Sequence, residues 1–529
     1  MRAIKSKICL QPSDRTAPAG SLFWLILLVI VLIAGPVSAM QAEFKQTTCW
    51  FTVPKDRDMR CGHLVVPENR TKANSAVIKL AVVVFEPDRE RHEPVVYLSG
   101  GPGQAARIES KDDIEEWWSF IDNGAWLRGR RLVVLDQRGA GLSEPSLSCS
   151  KHYSPAVWNG IISHPDDPLD FELAQKREVE ACRDDLIGKG IDLAAYNTSE
   201  NAADIHDLRV ALKIEKWVLF GISYGTKVAL HVLKHHPQEI IAAVLDSTLP
   251  LDVNYVDHDA ANLDRVLNKL DKDCAAHRDC RGGIGNMKAL INEIVQQLDA
   301  EPMLLRLKRE DRSTAFTRVS GADFLELIFN QFYDRGAIEM LPQLIRQTAD
   351  QDYGPLAQML SFYDMKEDSR AFADGMHLSV VCGDRMPPAA RPEKFALLDS
   401  WARDNFYNWA CPLWPFVKSV EPNGPRQKNE VPVLLLAGEY DPATPSTWAE
   451  DLAKNMGRSQ FVLFRGVGHD VIDATKCGGD VVADFLTNPQ DRIKTSCVRE
   501  MSAPQFSIPE GDNTDALMTV SVLPSMLHR

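Results

Sequence analysis

Short apolar runs that stop at turn residues recur along this chain, and they constrain its fold more than any other feature. They include "SAVIKLAVVVF" (75–85), "PVVYLSGGPG" (94–103), "RRLVVLDQRGAG" (130–141), "KWVLFGISYG" (216–225) and "IIAAVLDSTLP" (240–250). Two more come late, "VPVLLLAGEYDPATP" (431–445) and "SQFVLFRGVGHD" (459–470). The runs are continuous rather than alternating, the pattern of strands buried on both faces. Helical segments lie between them. "SENAADIHDLRVALKI" (199–214) opens with a serine cap and places Ile205, Leu208, Val210 and Leu212 near helical spacing. "GTKVALHVLKHHP" (225–237) stops before Pro237. The expectation is an α/β fold with a mostly parallel, doubly wound sheet.

At 529 residues the chain is too long for one compact core. Between 251 and 425 the strand pattern vanishes, and "ANLDRVLNKLDKDC", "NMKALINEIVQQL" and "GADFLELIFNQFY" read as helices. Trp401, Trp409 and Trp414 also fall there. Strands resume afterwards, so residues 251–425 read as a large helical cap inserted between late strands, with an independent helical domain as the alternative. The core is then expected in two parts, 40–250 and 426–500. Residues 501–529, rich in Pro, Ser and Asp, read as a peripheral tail.

Residues 1–39 have the layout of a signal peptide. Arg2, Lys5, Lys7 and Arg15 lead into a 13-residue apolar run at 22–34, and small residues follow up to Ala39. The run is short for a membrane span. A secreted or periplasmic protein is expected, with an uncleaved membrane anchor as the alternative. Of eleven cysteines, Cys9 lies in the leader and ten remain. No C-x-x-C pair exists, which argues against a zinc ribbon or a thioredoxin-like site. In sequence order the ten fall into neighbours: Cys49 and Cys61, Cys149 and Cys182, Cys274 and Cys280, Cys382 and Cys411, Cys477 and Cys497. Sequence does not fix connectivity, but the usage fits an oxidising compartment. Net charge is −14 with no basic run, so a nucleic-acid partner is not expected.

Ser223 sits between Gly221 and Gly225 in "LFGISYGTKVAL" (219–230). G-x-S-x-G alone arises by chance in roughly one chain in six of this length, so its surroundings decide. A buried strand precedes Ser223 and a helix follows, the strand–turn–helix order of a nucleophile elbow. A serine nucleophile needs a base, and the base needs an orienting acid. Asp441 follows the run "VPVLLLAGEY" and His469 follows "SQFVLFRGVG". Serine, acid and histidine thus stand in order, each just past a strand. Glu439 is the nearest competitor to Asp441. His231, His235 and His236 lie on the helix after Ser223 and read as packing or exposed residues.

The oxyanion formed in acyl transfer needs two backbone N–H donors. Tyr224 supplies one and the "SGGPG" loop the other; Pro102 has no N–H, so Gly101 is expected, with Gly100 second. Asp136 and Arg138 in "DQRG" read as loop-shaping residues. Asp384 in "VVCGDR" is a candidate for binding a substrate amine, or else a surface acid.

"GGPG", "DQRGAGLSEPS", "YNTSENAADIHDLRVAL", "GISYGTKVAL", "LAGEYDPATP" and "GVGH" together resemble the α/β-hydrolase-fold serine aminopeptidases related to prolyl iminopeptidase. The likeness is strongest to the secreted tripeptidyl aminopeptidase-like branch. "RCGHLVVPENR" and the Cys477 to Cys497 spacing fit as well. The resemblance implies an α/β-hydrolase fold, a triad of Ser223, Asp441 and His469, and release of N-terminal residues or short peptides from substrates with a free amine. It implies no cofactor and no metal. Ser99 stands where "HGGPG" loops of the family carry histidine, which argues against true prolyl iminopeptidase specificity. An esterase or other small-molecule acyl hydrolase using the same triad is the alternative, and a binding protein on a dead scaffold is a third reading.

Overall fold

The computed structural model describes residues 41–158, 160–162, 170–308, 313–363, 372–384, 398, 401, 405–418 and 430–506. The expected leader, 1–39, lies outside the described residues, as does most of the expected tail. Among the described residues no helix is long and apolar enough to cross a membrane.

Nine strands form the main sheet: β1 (Glu43–Thr47), β2 (Asp58–Pro67), β3 (Val77–Glu86), β4 (Val95–Leu98), β5 (Leu132–Leu135), β7 (Trp217–Ile222), β8 (Ile240–Asp246), β11 (Val433–Gly438) and β12 (Ser459–Phe464). Their spatial order is β1-β2-β3-β5-β4-β7-β8-β11-β12. The pairs from β5 through β4, β7, β8 and β11 to β12 are parallel. Those from β1 through β2 and β3 to β5 are antiparallel. The continuous apolar runs are the central strands, and β5 and β11 are buried at every residue. Each buried Leu or Val there stabilises the fold by about 1.5–3 kcal/mol relative to exposure. Helices cover both faces, so one apolar core lies on each side of the sheet. β1 is a short, mostly exposed edge strand whose polar sequence carries no such signal.

Between β8 and β11 the chain makes a long excursion. It holds helices Asp259–Ala276, Met287–Ala300, Gly321–Gln331 and Arg335–Ala349. Their apolar sides, including Leu263, Ile291, Phe324 and Ile345, form a core of their own. The excursion also contains strands, contrary to the sequence expectation. β9 (Met303–Lys308) and β10 (Thr314–Val319) pair antiparallel, and β6 (Ile161–Ile162) adds to β10. The reason is a period of two: Met303, Leu305 and Leu307 are buried, whereas Leu304, Arg306 and Lys308 are exposed. A six-residue alternation is easily hidden between helices. β6 comes from before β7, so the small sheet draws on both the first core segment and the insertion.

All ten cysteines among the described residues are paired: Cys49–Cys61, Cys149–Cys182, Cys274–Cys280, Cys382–Cys411 and Cys477–Cys497. Cys382–Cys411 ties helix Asp374–Asp384 to helix Tyr407–Leu413.

Candidate active site

Ser223 is the hinge between β7 and helix Tyr224–His235. Its backbone has φ 55° and ψ −123°, a region that costs a non-glycine residue on the order of 1–3 kcal/mol. The surroundings hold it there. The Ser223 amide donates to the Asp246 carbonyl at 3.0 Å, and the Ser223 carbonyl accepts from the Thr226 amide and hydroxyl at 2.9 and 2.6 Å. The flanking glycines are required by close packing. A Cβ on Gly225 would sit 2.0 Å from the Leu98 carbonyl oxygen, and one on Gly221 would sit 2.6 Å from that of Gly225. The phenol of Tyr224 is buried between the Thr198 hydroxyl and the Asn201 amide, both at 3.1 Å, and burial raises its pKa. Its side chain therefore anchors the helix start, leaving the backbone N–H in the first turn, where no intrahelical acceptor exists.

The "SGGPG" loop leaves β4 beside this turn. A Cβ on Gly100 would lie 3.2 Å from the Ser223 Cβ. Gly101 has φ +102° and lines the same cavity as Ser223. Ser99 is buried, and its carbonyl and hydroxyl accept from Gln137 Nε2 at 2.9 and 3.0 Å. Asp136 receives the amides of Ala106 and Leu142, and burial pushes its carboxyl up to about 6. Arg138 is fully buried, forked onto Asp204 at 2.8 Å. Both residues shape loops.

Asp441 and His469 meet. Asp441 is buried, and its Oδ2 lies 2.9 Å from His469 Nδ1. The other oxygen accepts the amides of Ala443 and Thr444, and the Thr444 hydroxyl donates to Oδ2 at 2.7 Å. Burial alone would raise the Asp441 carboxyl. The charge and hydrogen bond of His469, with the Thr444 bonds, outweigh it and hold the carboxyl below its ordinary value. Burial likewise works against the His469 cation, but the Asp441 charge and hydrogen bond win and its pKa is raised. Glu439 turns away: Lys269 lies 3.2 Å from one oxygen, and the Gly466 amide donates to the other.

Asp246, at the end of β8, braces the two halves. Its carbonyl holds the Ser223 amide, while its carboxylate accepts the amides of Val471 and Ile472 at 3.0 and 2.8 Å. The Ser247 hydroxyl accepts the Asp470 amide at 2.9 Å. Ser223, Asp441 and His469 thus follow β7, β11 and β12 along one edge of the parallel strands. The pattern of the "alpha/beta hydrolase fold" matches residues 93–473, a span that starts just before β4 and ends just past His469.

The chain belongs to the α/β-hydrolase fold family.

Among its relatives, serine protease Hip1 of Mycobacterium tuberculosis is 24% identical over 453 residues, covering 80% of this chain and 84% of that protein. Carboxylesterase B of the same organism is 24% identical over 462 residues, covering 81% and 84%. Tripeptidyl aminopeptidase of Streptomyces coelicolor is 25% identical over 503 residues, covering 83% of each.

In this hydrolase fold the insertion reaches the site. Arg265, on helix Asp259–Ala276, donates to the carbonyls of Glu439 and Asp441. Tyr333 accepts the His469 amide on its carbonyl at 3.0 Å, and its ring stands 4.9 Å from the imidazole. Tyr333 and Thr444 also wall a cavity of about 80 Å³ shared with Ser223 and Gly101. Glu326 enters the same cavity from helix Gly321–Gln331, which starts with a capping box between Ser320 and Asp323. The Glu326 carboxylate accepts the Trp401 indole N–H at 3.0 Å and the Asn330 amide at 3.4 Å. His377 clamps the glycine loop. Its Nδ1 donates to the Pro102 carbonyl at 2.9 Å, so in the neutral ring Nε2 accepts from the Tyr407 hydroxyl at 2.5 Å.

Asp384 is placed differently from its sequence reading. Its carboxylate lies 2.7 Å from the Nζ of Lys227, a buried lysine one turn past Ser223 that also donates to the Val253 carbonyl. A buried lysine requires a counter-charge, and Asp384 meets that need rather than lining the cavity at Ser223. Asp246, Glu326 and His377 gave no signal of their own in the sequence, because their partners lie far away along the chain.

Proposed function

We propose that the protein is an exported serine peptidase of the aminopeptidase type, acting through an acyl-enzyme on Ser223. The observation that carries this reading is the Asp441–His469 pair at the ends of the strands where a strained Ser223 lines a small cavity together with Glu326 from the insertion. His469 Nε2 takes the Ser223 proton as Oγ attacks the scissile carbonyl. The Tyr224 and Gly101 N–H groups, with Gly100 as the alternative donor, hold the oxyanion. His469 then hands the proton to the leaving amine, and water, activated by the same imidazole, releases the acyl group. Asp441 fixes the Nδ1–H tautomer and stabilises the imidazolium.

Glu326 is the best-placed group for the substrate's α-ammonium, since it shares the cavity with Ser223 and the Asp384 carboxylate is taken by Lys227. An acid in the wall of the cavity at Ser223 suits a substrate with a free amine. The protease and tripeptidyl aminopeptidase relatives support this choice of substrate. Five disulfides and the leader-like N-terminus support export, with residues 1–39 as the cleaved signal and 251–425 as the cap over the site. The second reading, an esterase, is favoured by the carboxylesterase relative alone. A panel of free and N-acetylated peptides, with products read by mass spectrometry, tests the proposal. Release of short N-terminal pieces from free peptides only is expected. Turnover of acyl esters with no peptide cleavage would overturn it.

A further inference from the structure

A second cavity lies away from Ser223. It measures about 540 Å³ and lies at the opposite ends of the parallel strands. Arg89, Arg91 and His92 stand just before β4, and Arg128 and Arg130 just before β5. β4 and β5 run parallel, as do β7, β11 and β12 beyond them. These residues therefore mark the start of the parallel strands, whereas Ser223, Asp441 and His469 mark their ends.

The charge around this cavity is lopsided for a protein of net charge −14. Glu86 is held by Arg60 and Arg131, each at 2.8 Å, and Asp122 by Arg57. Arg130 is buried and donates to the carbonyls of Glu93 and Leu486. Among the described residues the guanidinium groups of Arg89, Arg91 and Arg128 have no hydrogen bond or ion pair, and Asp88 is the one lining acid without one. Gathering like charges costs free energy unless an anion joins them. The wall between them is apolar, built from Phe85, Trp118, Ile121 and Leu127. The indole N–H of Trp118 is buried without a partner, although its ring lines the cavity.

We propose that this cavity binds a phosphate-bearing anion with an apolar or aromatic body. Guanidinium forks match phosphate oxygens in pairs. The volume falls in the range of about 300–1,000 Å³ usual for small-ligand sites. The ligand body would lie along Pro87 and Ile121, which are partly exposed in the lining, because Phe85 is buried and the Arg57 guanidinium stands 4.3 Å over the Trp118 ring. The same phosphate could come from a soluble organic phosphate or from a lipid headgroup.

The test uses the mature full chain and two arms. In the first, calorimetry measures phenyl phosphate, inorganic phosphate and phenol. Phenyl phosphate should bind more tightly than inorganic phosphate, and phenol should not bind. In the second, the protein is sedimented with phosphatidylglycerol or phosphatidylcholine vesicles. The triple variant Arg89→Gln, Arg91→Gln, Arg128→Gln should bind at least about ten-fold more weakly in whichever arm is positive. Its far-UV circular dichroism and its turnover at Ser223 should be unchanged, because the three side chains are exposed and lie away from the triad. Arginine-dependent binding of phenyl phosphate assigns a soluble ligand, and arginine-dependent sedimentation with phosphatidylglycerol alone assigns a headgroup. No binding by the wild type in either arm, or binding undiminished in the triple variant, overturns the proposal.

Discussion

Asp246 accepts the Ser223 amide on its backbone carbonyl at 3.0 Å, and through its carboxylate it also holds the chain immediately after His469. One residue at the end of β8 thus ties Ser223 to the segment after His469, the proposed nucleophile and base. Asp246→Asn keeps the carbonyl bond but turns an N–H toward an N–H at Val471 or Ile472. A shift of about 1 Å at reacting groups can cost on the order of a hundred-fold in rate. The expected result is a fall of that order in kcat with KM nearly unchanged, read by steady-state kinetics on a cleaved peptide.

Strain at Ser223 separates two inactive variants. With φ at 55°, Ser223→Ala keeps the strained backbone, whereas Ser223→Gly relieves it. Both should lose turnover. Ser223→Gly should be more stable than Ser223→Ala by about 1 kcal/mol, as measured by denaturant unfolding.

Gly225 has less freedom than Ser223. A Cβ there would lie 2.0 Å from the Leu98 carbonyl oxygen, which belongs to β4 and cannot swing aside as a side chain could. Gly225→Ala should cost on the order of 3 kcal/mol and abolish activity, with the loss visible as a lowered Tm.

Much of this architecture was legible in the sequence, and the reason is local. The central strands appear as unbroken apolar runs because both faces are buried, and each residue of the proposed triad lies within a short turn of the end of its strand. The positions of Ser223, Asp441 and His469 past β7, β11 and β12 could therefore be read from order alone. What was hidden depends on distant pairs or short periods. β9 alternates over only six residues. Glu326 is an ordinary helix acid until the insertion brings it to the cavity that Ser223 also lines. Asp384 could not be read as the counter-ion of Lys227, because 157 residues separate them. The Asp246 brace is likewise invisible in "VLDST".

The pH profile follows from the Asp441–His469 pair. His469 must be neutral to act as base, and its pKa is raised above the ordinary imidazole value of about 6.5. The acidic limb of kcat/KM should therefore fall above that value. In Asp441→Asn the charge that raises it is gone and burial dominates, so the limb should move to lower pH while kcat drops about 10⁴-fold. A raised histidine contributes stability fully below its unfolded value and loses it as pH rises through the folded one. Asp441→Asn should flatten that part of the stability profile.

Glu326 tests substrate choice apart from chemistry. Glu326→Gln should raise KM for free peptides about ten-fold to a hundred-fold, the worth of one charge-assisted contact. Labelling of Ser223 by a neutral acylating probe should be unaffected.

The central claim is that Ser223 is a nucleophile activated by His469. Intact mass spectrometry after treatment with a fluorophosphonate, followed by peptide mapping, addresses it directly. One adduct on Ser223, lost in Ser223→Ala and strongly slowed in His469→Ala, is the result expected. A folded wild-type protein that takes no label, or that takes it equally in His469→Ala, would contradict the claim.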